Sequence, residues 1–78
     1  YANNLNHPNI AKCLNNVGTL YDIRGYYQRA LENYEKSYKI QIEVYKNNPY
    51  HPYISMILNN IGNVYKNKGD YNKALEYY

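Results

Sequence analysis

The chain is built on an internal repeat, and that repeat limits its fold more than any other feature. Shifted by 44 residues against itself, the sequence matches at 17 of 34 aligned positions. His7-Pro8 falls on His51-Pro52, Leu14-Asn15-Asn16 on Leu58-Asn59-Asn60, and Gly18 on Gly62. Further along, Tyr21 falls on Tyr65, Gly25 on Gly69, Tyr27 on Tyr71, Ala30-Leu31-Glu32 on Ala74-Leu75-Glu76, and Tyr34 on Tyr78. Self-similarity at such a period marks an array in which each unit buries its apolar side against the next.

The local chemistry of each unit is helical. Proline suits the first turn of a helix, where its missing N–H costs nothing, and it pushes the preceding histidine into an extended cap conformation. From Pro8 onward Ile10, Leu14, Val17 and Tyr21 follow the helical period, widened by Cys13 and Leu20; the second copy gives Ile54, Leu58, Ile61 and Tyr65. Gly25 and Gly69 stand where a helix ends in a left-handed residue. Asp70 is a good N-cap for the next helix, and Tyr26 at the same place is a poor one. The pattern predicts a first repeat over about 7–50, with helices over 8–23 and 27–47. A second repeat over about 51–78 follows, with helices over 52–68 and 71–78, the last cut short. The apolar face expected for the second helix is Tyr27, Ala30, Leu31, Tyr34 and Tyr38, continuing through Ile42 and Tyr45. Glu32 with Lys36, and Glu35 with Lys39, place acid before base at helical spacing on its solvated side.

Gly18 and Gly62 fall inside helices, where glycine costs about 1 kcal/mol relative to alanine. A close crossing of the two helices of one hairpin accounts for them, with Ala30 or Ala74 expected opposite. There are 13 Tyr and no Phe or Trp, so tyrosine must do the aromatic packing, and each buried ring brings a hydroxyl that needs a partner or water.

The series Leu14, Val17, Gly18, Tyr21, Gly25, Tyr27, Ala30, Tyr34, Ser37 and Ile40 resembles the tetratricopeptide repeat. The resemblance covers most of the first unit and the second as far as Tyr78. It departs in lacking the closing proline of the common 34-residue repeat, and in placing Ser37 where alanine is usual. Long units with His-Pro at the start of the first helix and Leu-Asn-Asn inside it are similar to those of kinesin light chains, which usually repeat every 42 residues. The resemblance implies an all-α fold, an α-solenoid of antiparallel helix-turn-helix hairpins in a right-handed superhelix. It also implies a function in binding a peptide or partner protein.

In such a superhelix the first helix of each hairpin lines the concave surface, and helical spacing selects its members. In the first unit these are Lys12, Asn15, Asn16, Thr19, Asp22 and Ile23; in the second, Met56, Asn59, Asn60, Asn63, Lys66 and Asn67. A carboxamide offers donors and an acceptor without charge, which suits it to the backbone of an extended peptide. The resemblance implies the same role, since in kinesin light chain arrays the asparagines of this segment line the cargo-peptide groove. Asn15 and Asn59 are the first candidates, exposed in the absence of ligand. Asn16, Asn60 and Asn63 follow, with Thr19, Lys12 and Lys66 beside them.

Other classes find less support. Nine basic and six acidic residues are dispersed along the chain, which argues against a nucleic-acid or membrane surface. Cys13 is the single cysteine, read as a core thiol in a reducing, cytoplasmic setting. The opening Tyr1-Ala2-Asn3-Asn4 lacks the basic and apolar regions of a signal peptide. His7 and His51 precede helix-starting prolines and have no ligand partner at helical spacing, so capping or corner packing is expected rather than a metal site. No phosphate loop, HExxH or GxSxG is present, and neither an enzyme nor a cofactor is expected. The alternatives are a structural spacer or self-association module, acting through the short second repeat, and an RNA-reading helical repeat. At 78 residues a single core rarely supplies more than about 3 to 5 kcal/mol, which favours help from a neighbour.

Overall fold

A computed structural model of the protein describes residues 7–78, with side chains from Asn9 onward. The opening segment and the side chains of the first His-Pro pair lie outside the described residues. Four helices follow one another: α1 (His7–Ile23), α2 (Tyr27–Val44), α3 (Pro52–Lys68) and α4 (Tyr71–Tyr77). They form two antiparallel hairpins, α1 with α2 and α3 with α4, and α3 packs against α2 to join them. The molecule is an elongated slab, 41 × 24 × 13 Å.

Both tight turns are made in the same way. Gly25 and Gly69 have φ of 83° and 91°, a conformation that glycine adopts without a Cβ penalty. Around them Tyr26 N–H reaches back to the Tyr21 carbonyl, and Asp70 N–H to the Tyr65 carbonyl, at 2.8 Å each. The Asp70 carboxylate accepts from Lys73 N–H at 3.1 Å and so caps α4. Tyr26 makes no such cap for α2. At the start of α3, His51 Nδ1 accepts from Tyr53 N–H at 3.2 Å, while its ring stacks on Tyr45 with centroids 3.7 Å apart. Its imidazole thus caps the helix and fills the corner between repeats.

The core lies on the α2–α3 seam: Ala30, Leu31 and Tyr34 from α2 meet Ile57, Ile61 and Val64 from α3, flanked by the partly buried Tyr21, Tyr27, Tyr38, Tyr65 and Tyr77. Three expectations need correcting. The second helix ends at Val44, short of Asn47, because Tyr45 turns out of the helix to stack on His51. Its inner face continues through Ser37 and Gln41, both buried, whereas Ile42 is exposed. Ser37 Oγ donates to the Ala11 carbonyl on α1 at 2.7 Å, which explains how a hydroxyl is accommodated between the helices. On α1 the residues expected to be core are split: Leu14 and Tyr21 are half-buried, but Ile10, Val17, Leu20 and Cys13 are exposed, and the buried apolar position is Ala11, which the apolar pattern did not single out. The exposed four face away from α2, and no described helix covers that side.

The mid-helix glycines sit under tyrosine rings rather than opposite alanines alone. A Cβ on Gly18 would stand 2.8 Å from Cε1 of Tyr34, and one on Gly62 would stand 2.9 Å from Cε1 of Tyr78 and 3.3 Å from the Ala74 carbonyl. The absent methyl lets an aromatic side chain of the second helix lie flat on the first.

Candidate functional site: the face shared by the first helices of the two repeats

Because α3 follows α1 by one repeat, their polar faces adjoin and are joined by side-chain hydrogen bonds. Asn60 Nδ2 donates to Asn15 Oδ1 at 3.0 Å. Two turns further on, Asn67 Nδ2 donates to both carboxylate oxygens of Asp22, at 3.1 and 3.2 Å. Both bridges span 45 residues, one more than the repeat. Lys12 of α1 also reaches across, its ammonium 5.2 Å from the centroid of the Tyr53 ring on α3.

These contacts sort the eight expected binding residues. Asn15 is not exposed: it is buried, and its side-chain carbonyl is taken by Asn60. Thr19 Oγ1 donates to the Asn15 backbone carbonyl at 3.1 Å and lies 2.8 Å from the Tyr34 hydroxyl. Asn63, its equivalent in the second repeat, accepts from the Tyr78 hydroxyl. Thr19 and Asn63 therefore join each first helix to the tyrosine of its hairpin. Asn60 is half-buried against Asn15, and Lys12 lies over Tyr53. Asn16 of α1 and Asn59 and Lys66 of α3 are exposed. The chain thus brings all eight together along two adjoining helices, with some engaged in holding the repeats and others open to solvent.

Burial pushes the pKa of the Tyr34 hydroxyl up; its hydrogen bond with Thr19 opposes the shift and the charge of Asp22 adds to it. Tyr77 is also raised, by burial first and then by its neighbour Tyr65, on which it stacks with centroids 5.6 Å apart. On the other side of the molecule a cleft of about 400 Å³ runs along the α2–α3 seam, lined by Tyr38, Ile42, Leu58, Ile61 and Tyr77 among others. Its lining is mainly apolar and carries no asparagine. Among the described residues there is no group of His, Cys, Asp or Glu able to hold a metal ion, and no helix long and apolar enough to cross a membrane.

Paired helices with a left-handed glycine between them, a glycine under each hairpin tyrosine, and hydrogen bonds at repeat spacing define a helical-repeat protein. Two tetratricopeptide repeat models match the chain, one over residues 10–53 and another over residues 55–78. The protein belongs to the tetratricopeptide repeat family, whose members generally mediate protein–protein interaction and are typically non-enzymatic scaffolds. No curated protein and no solved structure matches it.

Proposed function

We propose that the chain is a scaffold that holds an extended segment of a partner protein along the face shared by α1 and α3. The observation that carries this reading is the run of amides across the two first helices: Asn15 and Asn60 meet between α1 and α3, and Asn16 and Asn59 are exposed beside them. Asn15 and Asn60 are bonded to each other between the helices, which fixes the spacing of the surface without occupying Asn59. A backbone laid along it finds donors and acceptors that are indifferent to its side chains, with Lys66 available to a partner carboxylate. A nucleic acid is a poorer fit. Lys12 is directed onto an aromatic ring, and Asp22 sets a carboxylate beside the few cations of the face. The exposed lone thiol of Cys13 suits a reducing, cytoplasmic setting.

Selection of a random peptide library on the chain, followed by mapping of a selected peptide through its effect on the Asn side-chain amide resonances, tests this reading. The expected result is perturbation of Asn16 and Asn59. Replacing both by Ala should weaken binding by about 0.5 to 1.5 kcal/mol per lost hydrogen bond. Peptides that map to the cleft over Tyr38 and Leu58, with affinity unchanged in the double variant, would overturn it.

A further inference from the structure

The joint between the two repeats closes on a histidine. His51 stands immediately before α3, and the ring of Tyr45, the C-cap residue of α2, lies on its imidazole with centroids 3.7 Å apart and planes 11° from parallel. Tyr53, in the first turn of α3, sets its ring 5.1 Å from the imidazole and 6.2 Å from the Tyr45 ring. The imidazole is also the N-cap of α3, since Nδ1 accepts from Tyr53 N–H at 3.2 Å. One ring thus makes both the stack that holds the end of α2 and the hydrogen bond that starts α3.

That hydrogen bond fixes the state of the ring. A backbone N–H only donates, so Nδ1 must offer a lone pair, and in a neutral imidazole the proton then sits on Nε2. A further proton can go only to Nδ1, the atom that caps the helix. With both nitrogens protonated the ring has no acceptor left. It can stay in place with two N–H groups opposed, or turn over within the stack and leave Tyr53 N–H unpaired; the cap is lost either way.

The charges around the ring act in the same direction. α3 has no acidic residue in its first turn, and its N-terminus is the positive end of the helix dipole. From α1, Lys12 holds its ammonium 5.2 Å from the centroid of the Tyr53 ring. At the end of α2, Lys46 lines a cleft with Tyr45, while Glu43 is exposed. The stack on Tyr45 is the contact that tolerates a cation, because an aromatic face attracts positive charge. It serves either orientation of the ring and does not restore the cap.

We propose that His51 is a proton-operated latch on the joint between the repeats. Neutral, it ties the start of α3 to the end of α2; protonated, it gives up Tyr53 N–H, and the first turn of α3 frays. Imidazole changes charge between about pH 5 and about pH 8, so moderate acid is the signal. The glycine turn inside each hairpin rests on backbone conformation and backbone hydrogen bonds, which such a proton leaves alone. Acid therefore acts between the repeats rather than within them.

The full chain carrying His7→Gln, in which His51 is the remaining histidine, provides the test. Nitrogen-15 spectra of the imidazole should show Nδ1 bare and Nε2 protonated at about pH 8. As Nδ1 takes its proton on the way to about pH 5.5, the Cα resonances of Tyr53 and Ile54 should move toward coil values with the same midpoint. The melting temperature should fall over that span by about 4 to 8 °C, the effect of a lost N-cap in a domain of this size. His51→Asn in the same background supplies a capping oxygen that does not titrate, so this part of the fall should vanish. An Nδ1 already protonated at about pH 8 overturns the proposal, as do Tyr53 and Ile54 resonances that ignore the titration. Equal falls in melting temperature with and without His51→Asn assign the effect to other groups and overturn it too. The spectra need no substitution at His51, so they decide the matter even if the asparagine variant fails to fold.

Discussion

Asn60 donates to the side-chain carbonyl of Asn15 at 3.0 Å, although its own sequence equivalent is Asn16 and that of Asn15 is Asn59. The bond joins unlike positions of neighbouring repeats, so the two halves of each Leu-Asn-Asn segment have different tasks. At this contact the first asparagine of one segment accepts and the second asparagine of the next donates. Asn15 has its partner and is buried, while Asn59 is exposed. Asn15→Ala is accordingly expected to destabilise the fold by about 1 to 2 kcal/mol, the value of a lost hydrogen bond at a largely desolvated group. Asn59→Ala should stay within about 0.5 kcal/mol of the wild type. Urea denaturation of the two variants checks this, and equal losses would show that the bridge contributes nothing.

Glycine replacements should be unequal for a related reason. At Gly18 a methyl group would stand 2.8 Å from the ring of Tyr34, which is buried and held through its hydroxyl by Thr19. Overpacking of this kind costs about 1 to 3 kcal/mol, against about 1 kcal/mol gained from helix propensity. Gly18→Ala should therefore lower the melting temperature. At Gly62 the obstructing ring belongs to Tyr78, which is also bonded through its hydroxyl, to Asn63. Tyr78 is exposed, however, so it can swing aside and exchange that bond for water, leaving the Ala74 carbonyl at 3.3 Å. Gly62→Ala should come out near neutral by thermal melt, and a loss as large as that at Gly18 would mean that the Tyr78 ring is fixed.

What the sequence made legible follows its locality. The helix ends at Gly25 and Gly69, the Asp70 cap and the absence of a cap at Tyr26 depend on one or two residues each, and the structure has them where the pattern placed them. The inner face of α2 was harder. Ranking by apolarity pointed to Ile42, whereas the helical period from Ala30 and Tyr34 leads through Ser37 to Gln41, and the period prevails. Val17 and Leu20 were read as core because their spacing is that of a buried face. The helical spacing is present, but α2 does not bury them, and they are 40% and 60% exposed. The polar face was found from periodicity, yet the Asn15–Asn60 bond is a tertiary contact that no spacing within one helix could reveal.

Alkaline pH should weaken the fold through Tyr34. Its hydroxyl is held above the usual tyrosine pKa of 10.0, chiefly by burial, so the folded state keeps a proton that the unfolded chain releases. The stabilisation is complete below the unfolded pKa and is lost as pH rises past it toward the folded value. The denaturation midpoint should thus be flat on this account at neutral pH and fall above about pH 10. Tyr34→Phe should shallow that fall, and a slope unchanged in the variant would assign the effect to other tyrosines, Tyr77 first.

Gln41 offers the clearest route to a more stable chain. It is 1% exposed on the inner face of α2, and its carboxamide oxygen has no hydrogen-bond partner among the described residues. A buried carbonyl left unpaired costs about 1 to 3 kcal/mol, because it gives up water and receives nothing in return. Methionine has nearly the same length and flexibility without the polar atoms, and it adapts to the space it is given. Gln41→Met should therefore raise stability by about 1 kcal/mol, which for a domain of this size is a rise of about 4 to 8 °C in melting temperature. Gln41→Ala separates shape from polarity: it also removes the orphan oxygen but leaves a void, so it should be less stable than the methionine variant. Should Gln41→Met melt below the wild type by several degrees, the oxygen is satisfied in solution and the buried amide holds the hairpin together.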